Sequence, residues 1–504
     1  MSAEASNIMA SRRTRTTGAP GGPSATVPLP AGLAPRACRP LASFSRTSLA
    51  SCLALAGLCV VPQIASAVIP VGRCSDMVGK GGYTLRQAIA NAPEGDTVDL
   101  STLPLTCSTI TLTGGAIPIP QANLTIAGPT DHALTVNAAN ASRAFVHAGA
   151  GWVSFADLTI ASGTATPPSI ASGGCIYSNG SVSLEHSVLS NCTAYGRGGA
   201  LFAKGNVTLT GSSISASTVH DTSAIGGAIY AHAVSLFQGS TVSSNHSDGY
   251  SGGIYASGDG EAYSSMINDN SAGRSYYGQG YVKCSAFGAK GSLTLNRTAV
   301  DGNSAGPTIC ANGSIRLFLA SVSGNSGTGV GALSNASATV SIYDSTISGN
   351  DFYGIITDNG VKVHLYNTTI AHNAHGGVFA SQCSLTSVSS ILFGNGSNGL
   401  FGDIYTQLCT QSGSAYNIVG TSNIALPLTI AGNPRLTPLA YHGGPTRTHG
   451  LSINSPAIDA GSNPKASPYD QRDTGFARVV GARADIGAYE RQPGDDELFF
   501  GGFD

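Results

Sequence analysis

Among the few charged residues of this chain, six fall within a short stretch: Asp344, Asp351, Asp358, His364, His372 and His375. Carboxylates and imidazoles are the side chains that exchange protons or hold metal ions near neutral pH. If they converge, they are the candidates for a catalytic or metal centre. The competing reading, polar decoration of exposed turns, is the favoured one, since nothing in a sequence shows a perturbed site. A second acidic set, Asp459, Asp470, Asp485 and Glu490, could gather around an ion; hydrogen bonds to backbone amides in turns are the favoured alternative. Hydrolase patterns of the type N-T-D, D-D or G-H-G are missing from the body of the chain, and nothing implies a cofactor.

What could position these residues is a repeat. VSIYDSTISGNDFYG at 340–354 aligns without a gap on VHLYNTTIAHNAHGG at 363–377, and the pattern recurs from about residue 173 at intervals of 22 to 33 residues. Each unit holds two or three short alternating runs rich in β-branched residues and no helical stripe. A unit of this length fits three short strands per turn of a solenoid, whereas a propeller blade needs about 40 residues. The fold expected is all-β: a right-handed parallel β-helix solenoid of roughly a dozen coils, about 60 Å long by strand spacing.

Asn191, Asn245, Asn303, Asn325, Asn350, Asn373 and Asn395 recur in one phase of the unit. They are expected to turn the corner in the left-handed conformation and to stack as an amide ladder. Tyr177, Phe202, Tyr230 and Tyr255 follow Ile176, Leu201, Ile229 and Ile254. Adjacent strand residues face opposite ways, so either the aromatics form an outer strip that could stack on sugar rings or they fill the core.

Composition sets the class. Only 10% of the 504 residues are charged, against roughly a quarter in ordinary globular domains. The hydrophobic fraction is 41% and the net charge is −2, which excludes a disordered chain and argues against nucleic-acid binding. Arg36, Arg39 and Arg46 precede the apolar run LASCLALAGLCVV (49–61) and an A-x-A site at Ala65-Ser66-Ala67, the three parts of a secretory leader. Export is expected, to the outside or outer surface of a bacterial cell, with no membrane span in the mature chain. Eight cysteines follow the leader, an even number that suggests disulfides. Cys284 and Cys310, and Cys383 and Cys409, are each 26 residues apart, near the repeat length, so each pair would staple neighbouring coils. Cys74 with Cys107 and Cys175 with Cys192 is the remaining pairing.

Thr84-Leu85-Arg86-Gln87 matches a capping box, and Leu85, Ala88, Ile89 and Ala92 form one apolar face, which predicts a short N-terminal capping helix. The organisation expected is a leader at 1–67, a cap and irregular first coils at 68–172, regular coils at 173–425, a C-terminal segment at 426–492 and a tail at 493–504.

The units resemble those of polymorphic outer membrane proteins and other secreted bacterial β-helix proteins. TLRQAIANAPEGDTVDL (84–100) is similar to their C-S-L-R-E-A-I opening, with Tyr83 in place of the cysteine and Gln87 in place of the glutamate. NPRLTPLAYHGGPTRTHGLSINSPAIDAGSNP (433–464), YDQRD (469–473) and RADIGAYERQ (483–492) resemble the choice-of-anchor Q segment. The resemblance implies an exported, surface-associated protein. The function expected is a non-catalytic, adhesin-like scaffold binding glycan or protein; the alternative is a polysaccharide lyase or glycoside hydrolase on a pectate-lyase-like β-helix.

Overall fold

The computed structural model describes residues 67–495 apart from 78, 168–170, 274–283, 333–336, 358–359 and 398–400. The leader up to residue 66, Asp358 and the tail beyond 495 lie outside the described residues. The chain is a parallel β-helix of the right-handed type. Three sheets run along it, of fourteen, fourteen and twelve strands, and each strand pairs in parallel with its counterpart one coil away. The first sheet starts at Val68–Pro70, the second at Thr109–Thr111 and the third at Ile117–Ile119. A fourth sheet of five two-residue strands, from Thr164–Ala165 to Ser271–Ala272, widens the coils between them.

Period-two alternation sends one side of every strand inward. Val182, Val207, Val234, Leu293, Ile315, Val340 and Val363 stack in one inner column of the first sheet, nearly all of them with no exposure. Gly260 breaks the column between Val234 and Leu293. The reason stands opposite: Phe287 replaces the isoleucine of neighbouring coils, and a Cβ on Gly260 would come within 2.5 Å of its ring.

The amides form a continuous file. Asn245, Asn270, Asn303, Asn325, Asn350, Asn373 and Asn395 each donate from Nδ2 to the Oδ1 of the next side chain, at 2.8–3.0 Å, ending on Asp403 Oδ1 at 2.7 Å. Each of these Oδ1 atoms also accepts the backbone N–H of the preceding member, and the second Nδ2 hydrogen reaches a carbonyl of a neighbouring coil. A buried amide with all its valences used is stable in a dry interior; one with any left over is costly.

Two expectations need correction. Asn191 is not in the file: it is exposed, with φ 54°, and Cys192 holds the equivalent position. The left-handed corner belongs not to the ladder asparagine but to the residue before it: Ser244, Asp269, Gly302, Gly324, Gly349, His372 and Gly394 all have positive φ. Asn191 sits in that earlier phase, which explains its displacement.

All four disulfides are formed: Cys74–Cys107, Cys175–Cys192, Cys284–Cys310 and Cys383–Cys409. The helix Leu85–Asn91 carries the full capping box on Thr84 and Gln87 and buries Leu85, Ala88 and Ile89 in the main core.

Residues after the last coils do not continue the stack. An antiparallel hairpin, Leu436–Ala440 with Thr448–Leu451, and the loops that follow fold back over the outer face of the second sheet. Thr446 Oγ1 donates to Leu319 O, His449 pairs with Ser348, Asn367 donates to Ser462 O, and Ala488 N donates to Thr369 Oγ1. The cover is visible in burial: outward residues of this sheet are half-buried in coils such as Ser213–Ser215, but fully buried in Ser321–Ser323, Thr346–Ser348 and Thr369–Ala371.

Candidate functional site

Asp344, Asp351, His364, His372 and His375 do not converge, which corrects the first candidate centre. A unit of 23 residues goes once around the coil, so near neighbours in sequence occupy different sides. Asp344 is at the corner between the first and second sheets, buried, with Ser467 Oγ donating to it at 2.7 Å. His364 faces outward on the first sheet beside Tyr366, where burial and the charges of Lys465 and Lys362 lower its pKa. His372 stands at the next corner against the ring of His449. His375 packs on Phe352 at 4.0 Å, and its Nδ1 lies 3.0 Å from the carbonyl of Asp351.

The four C-terminal acids are tied down by protein groups. Asp470 takes Arg472 and the amide of Glu490. Asp485 takes the amides of Asp459 and Arg491. Glu490 takes the amides of Val480 and Asp485 and the guanidinium of Arg478 at 3.2 Å. Asp459 Oδ1 accepts the amide of Arg483. The positions an ion would fill are held by Arg472, Arg478 and backbone N–H groups, so these residues pin the C-terminal segment. Among the described residues no group of His, Cys, Asp and Glu is placed to hold a metal ion.

The aromatic column resolves the remaining choice. Ile176, Leu201, Ile229 and Ile254 are fully buried and point inward. Tyr177, Phe202, Tyr230 and Tyr255 therefore lie on the outer face of the third sheet, with ring centroids 5.1–5.3 Å apart and planes within 17° of parallel. Parallel rings one strand spacing apart turn their faces on each other. The strip thus shows mainly edges and hydroxyls, and Tyr177 and Tyr255 are themselves buried. Arg143 stands over the ring of Tyr177, and burial lowers its pKa. Arg197 stands over Tyr230 at 4.9 Å and donates to its hydroxyl.

Beside this strip, at the corner made by the fourth sheet, lies a groove of about 470 Å³. Phe202 and Ile225 give it apolar wall, Arg197 and Tyr250 give it charge and a phenol, and Ser172 and Ser223 add hydroxyls. Glycine makes the corner possible: a Cβ on Gly199 would come within 2.0 Å of the carbonyl of Gly227, and one on Gly227 equally close to Gly252.

No family model matches the sequence, and no curated protein matches it. Among solved structures, the chain is similar to the crystal structure of a pectate lyase, Pel9A, at 14% identity and a TM-score of 0.37, over 85% of this chain and 98% of that one. A likeness at this level says nothing of activity or substrate.

Sequence reasoning missed the groove because Arg197, Ile225 and Tyr250, which stand in register on three successive coils, are three different residue types. It also missed a surface array on the fourth sheet, in which Asp248 bridges His220 and His246 at 3.0 Å each. The signal available was the pair TVHDT (218–222) and NHSDG (245–249), one coil apart.

Proposed function

We propose that this protein is an exported β-helix scaffold that binds glycan in the corner groove between the third and fourth sheets. The observation that carries the reading is the groove itself: apolar and aromatic wall, with one exposed guanidinium and a few hydroxyls, the mixture that small-ligand sites use to combine burial with orientation. A sugar ring can pack its apolar side on Ile225 and the edge of Phe202 while Arg197, Tyr250 and the serines meet its hydroxyls. Four disulfides support an oxidising, extracytoplasmic setting. The resemblance of 84–100 and 433–492 to segments of secreted surface proteins supports the same location. Among the described residues no helix is long and apolar enough to cross a membrane.

The test is binding of the full chain to a panel of immobilised polysaccharides. The reading expects at least one ligand whose binding falls roughly tenfold or more in Phe202→Ala or Tyr250→Ala, the loss of one buried aromatic contact being worth about 1.5 kcal/mol or more. Binding that survives both substitutions, or no binding at all, rejects it.

A further inference from the structure

The corner groove is lined by one charged side chain, Arg197, and among the described residues no carboxylate lines it or pairs with that guanidinium. Acids in the neighbourhood are engaged elsewhere. Asp221 accepts the amide and the hydroxyl of Ser223, at 2.7 and 2.8 Å. Asp248 is held between His220 and His246. A second cation adds to the imbalance: Arg143 donates from Nε to the carbonyls of Ser172 and Gly173, at 3.0 and 3.1 Å, and it too has no acidic partner among the described residues. The chain as a whole carries a charge of −2, so a positive site here is a local feature and not a general field.

The contacts of Arg197 leave a particular part of it over. Its guanidinium lies on the ring of Tyr230, 4.9 Å from the centroid, and Nη1 donates to the Tyr230 hydroxyl at 3.2 Å. Those contacts use one face and one nitrogen. Nε and Nη2 donate to no described residue. Their N–H bonds run parallel in one plane, the edge with which arginine takes two oxygens of one anion at once.

We infer that the groove selects acidic glycans, with a carboxylate or sulfate group of the bound ring meeting the Nε–Nη2 edge of Arg197. The inference rests on the glycan-binding reading and names its ligand class. A neutral hydroxyl oxygen is too small to span both N–H groups, whereas an oxyanion accepts from each. The apolar wall of Phe202 and Ile225 keeps water from one side of the groove, where opposite charges attract more strongly than in bulk water. Tyr230 is a positioning residue: its ring and hydroxyl hold the guanidinium plane before the ligand arrives, so less side-chain freedom is lost on binding.

The full chain is tested for binding to immobilised polysaccharides in pairs that share a backbone. Alginate, hyaluronan and polygalacturonate are each set beside their methyl esters, which reads out carboxylate; dextran sulfate is set beside dextran, which reads out sulfate. Salt is held at about 0.15 M to screen distant charges. In at least one pair the acidic member is expected to bind roughly tenfold or more tightly. Arg197→Gln should bring it down to the level of the neutral member and leave the neutral member unchanged. Arg197→Lys, which keeps the charge and loses the planar edge, should restore only part of the preference, and Tyr230→Phe should weaken the acidic member alone. Arg316→Gln, which removes an exposed arginine of the first sheet, should change nothing. Equal binding of both members of every pair, lost in Phe202→Ala, overturns this inference and leaves the glycan-binding reading standing. A preference for the acidic member that survives Arg197→Gln, or that falls equally in Arg316→Gln, also overturns it. No binding to any polysaccharide rejects both.

Discussion

Replacing Asn350 by alanine is the sharpest probe of what holds the coils in register. Four hydrogen bonds end on this side chain. Its Nδ2 donates to Asn373 Oδ1 at 2.8 Å and to Val322 O at 3.1 Å. Its Oδ1 accepts Asn325 N at 3.2 Å and Asn325 Nδ2 at 2.9 Å. Alanine leaves the Asn325 amide N–H and one Asn325 side-chain hydrogen facing a dry interior, while the Val322 carbonyl keeps its place in the parallel ladder of the second sheet. Asn373 Oδ1 keeps the backbone N–H of residue 350. At about 1–3 kcal/mol for each of two orphaned groups, with partial relaxation, the expected loss is about 2–4 kcal/mol. Asn191→Ala, outside the file, should cost only the strain of alanine in the left-handed region, about 1 kcal/mol. Because stacked repeats open locally, amide exchange of residues 320–375 is a better readout than a global melt. Faster exchange in those coils alone, by the corresponding factor, is the expected result. A loss below about 1 kcal/mol, or one equal to that of Asn191→Ala, would show that the file is a by-product of stacking and not a cause of it.

The pH dependence of the C-terminal segment has a definite sign. Burial raises Glu490 to about 7, with Asp485 adding to the rise and Arg478 and two amides opposing it. A carboxyl with a raised folded pKa contributes stability below its unfolded value, and that contribution is lost as pH rises through about 7. Glu490→Gln should therefore gain on the wild type, in proteolysis of the segment, between pH 5 and pH 8; a gap independent of pH contradicts the assignment. His449, lowered to about 4 by burial, acts the other way, losing stability as pH falls below its ordinary value, so only the difference between variant and wild type isolates Glu490. Gly260→Ala should cost about 1–3 kcal/mol by pressing on Phe287, and Phe287→Leu in the same chain should recover part of it. Equal losses with and without Phe287→Leu would mean the ring is not the obstacle.

The coils were readable because their chemistry repeats. Val182, Val207 and Val234 keep the same phase, and so do Asn325, Asn350 and Asn373, and only stacking explains both columns at once. Asn270 and Cys192 were overlooked, and Asn191 misassigned, because the eye follows the residue name and the file follows a position. Asn191 is one residue early, and one residue in an extended segment reverses the side chain. The fold-back of 426–495 has no repeat to announce it. Its anchors are single contacts, Thr446 to Leu319 or Arg297 to Asp473, between residues more than a hundred positions apart. The groove has a different origin: Arg197, Ile225 and Tyr250 share one position on successive coils, and three unlike side chains at one position leave no pattern in the chain.

The most direct measurement of the glycan-binding claim is amide exchange of the full chain with and without a polysaccharide it retains. The account predicts slowed exchange confined to the segments around 196–203, 223–231 and 250–256, the three coils that meet at the corner groove. Protection that falls instead on the second sheet or the C-terminal segment, or none under conditions where binding is saturated, would contradict it.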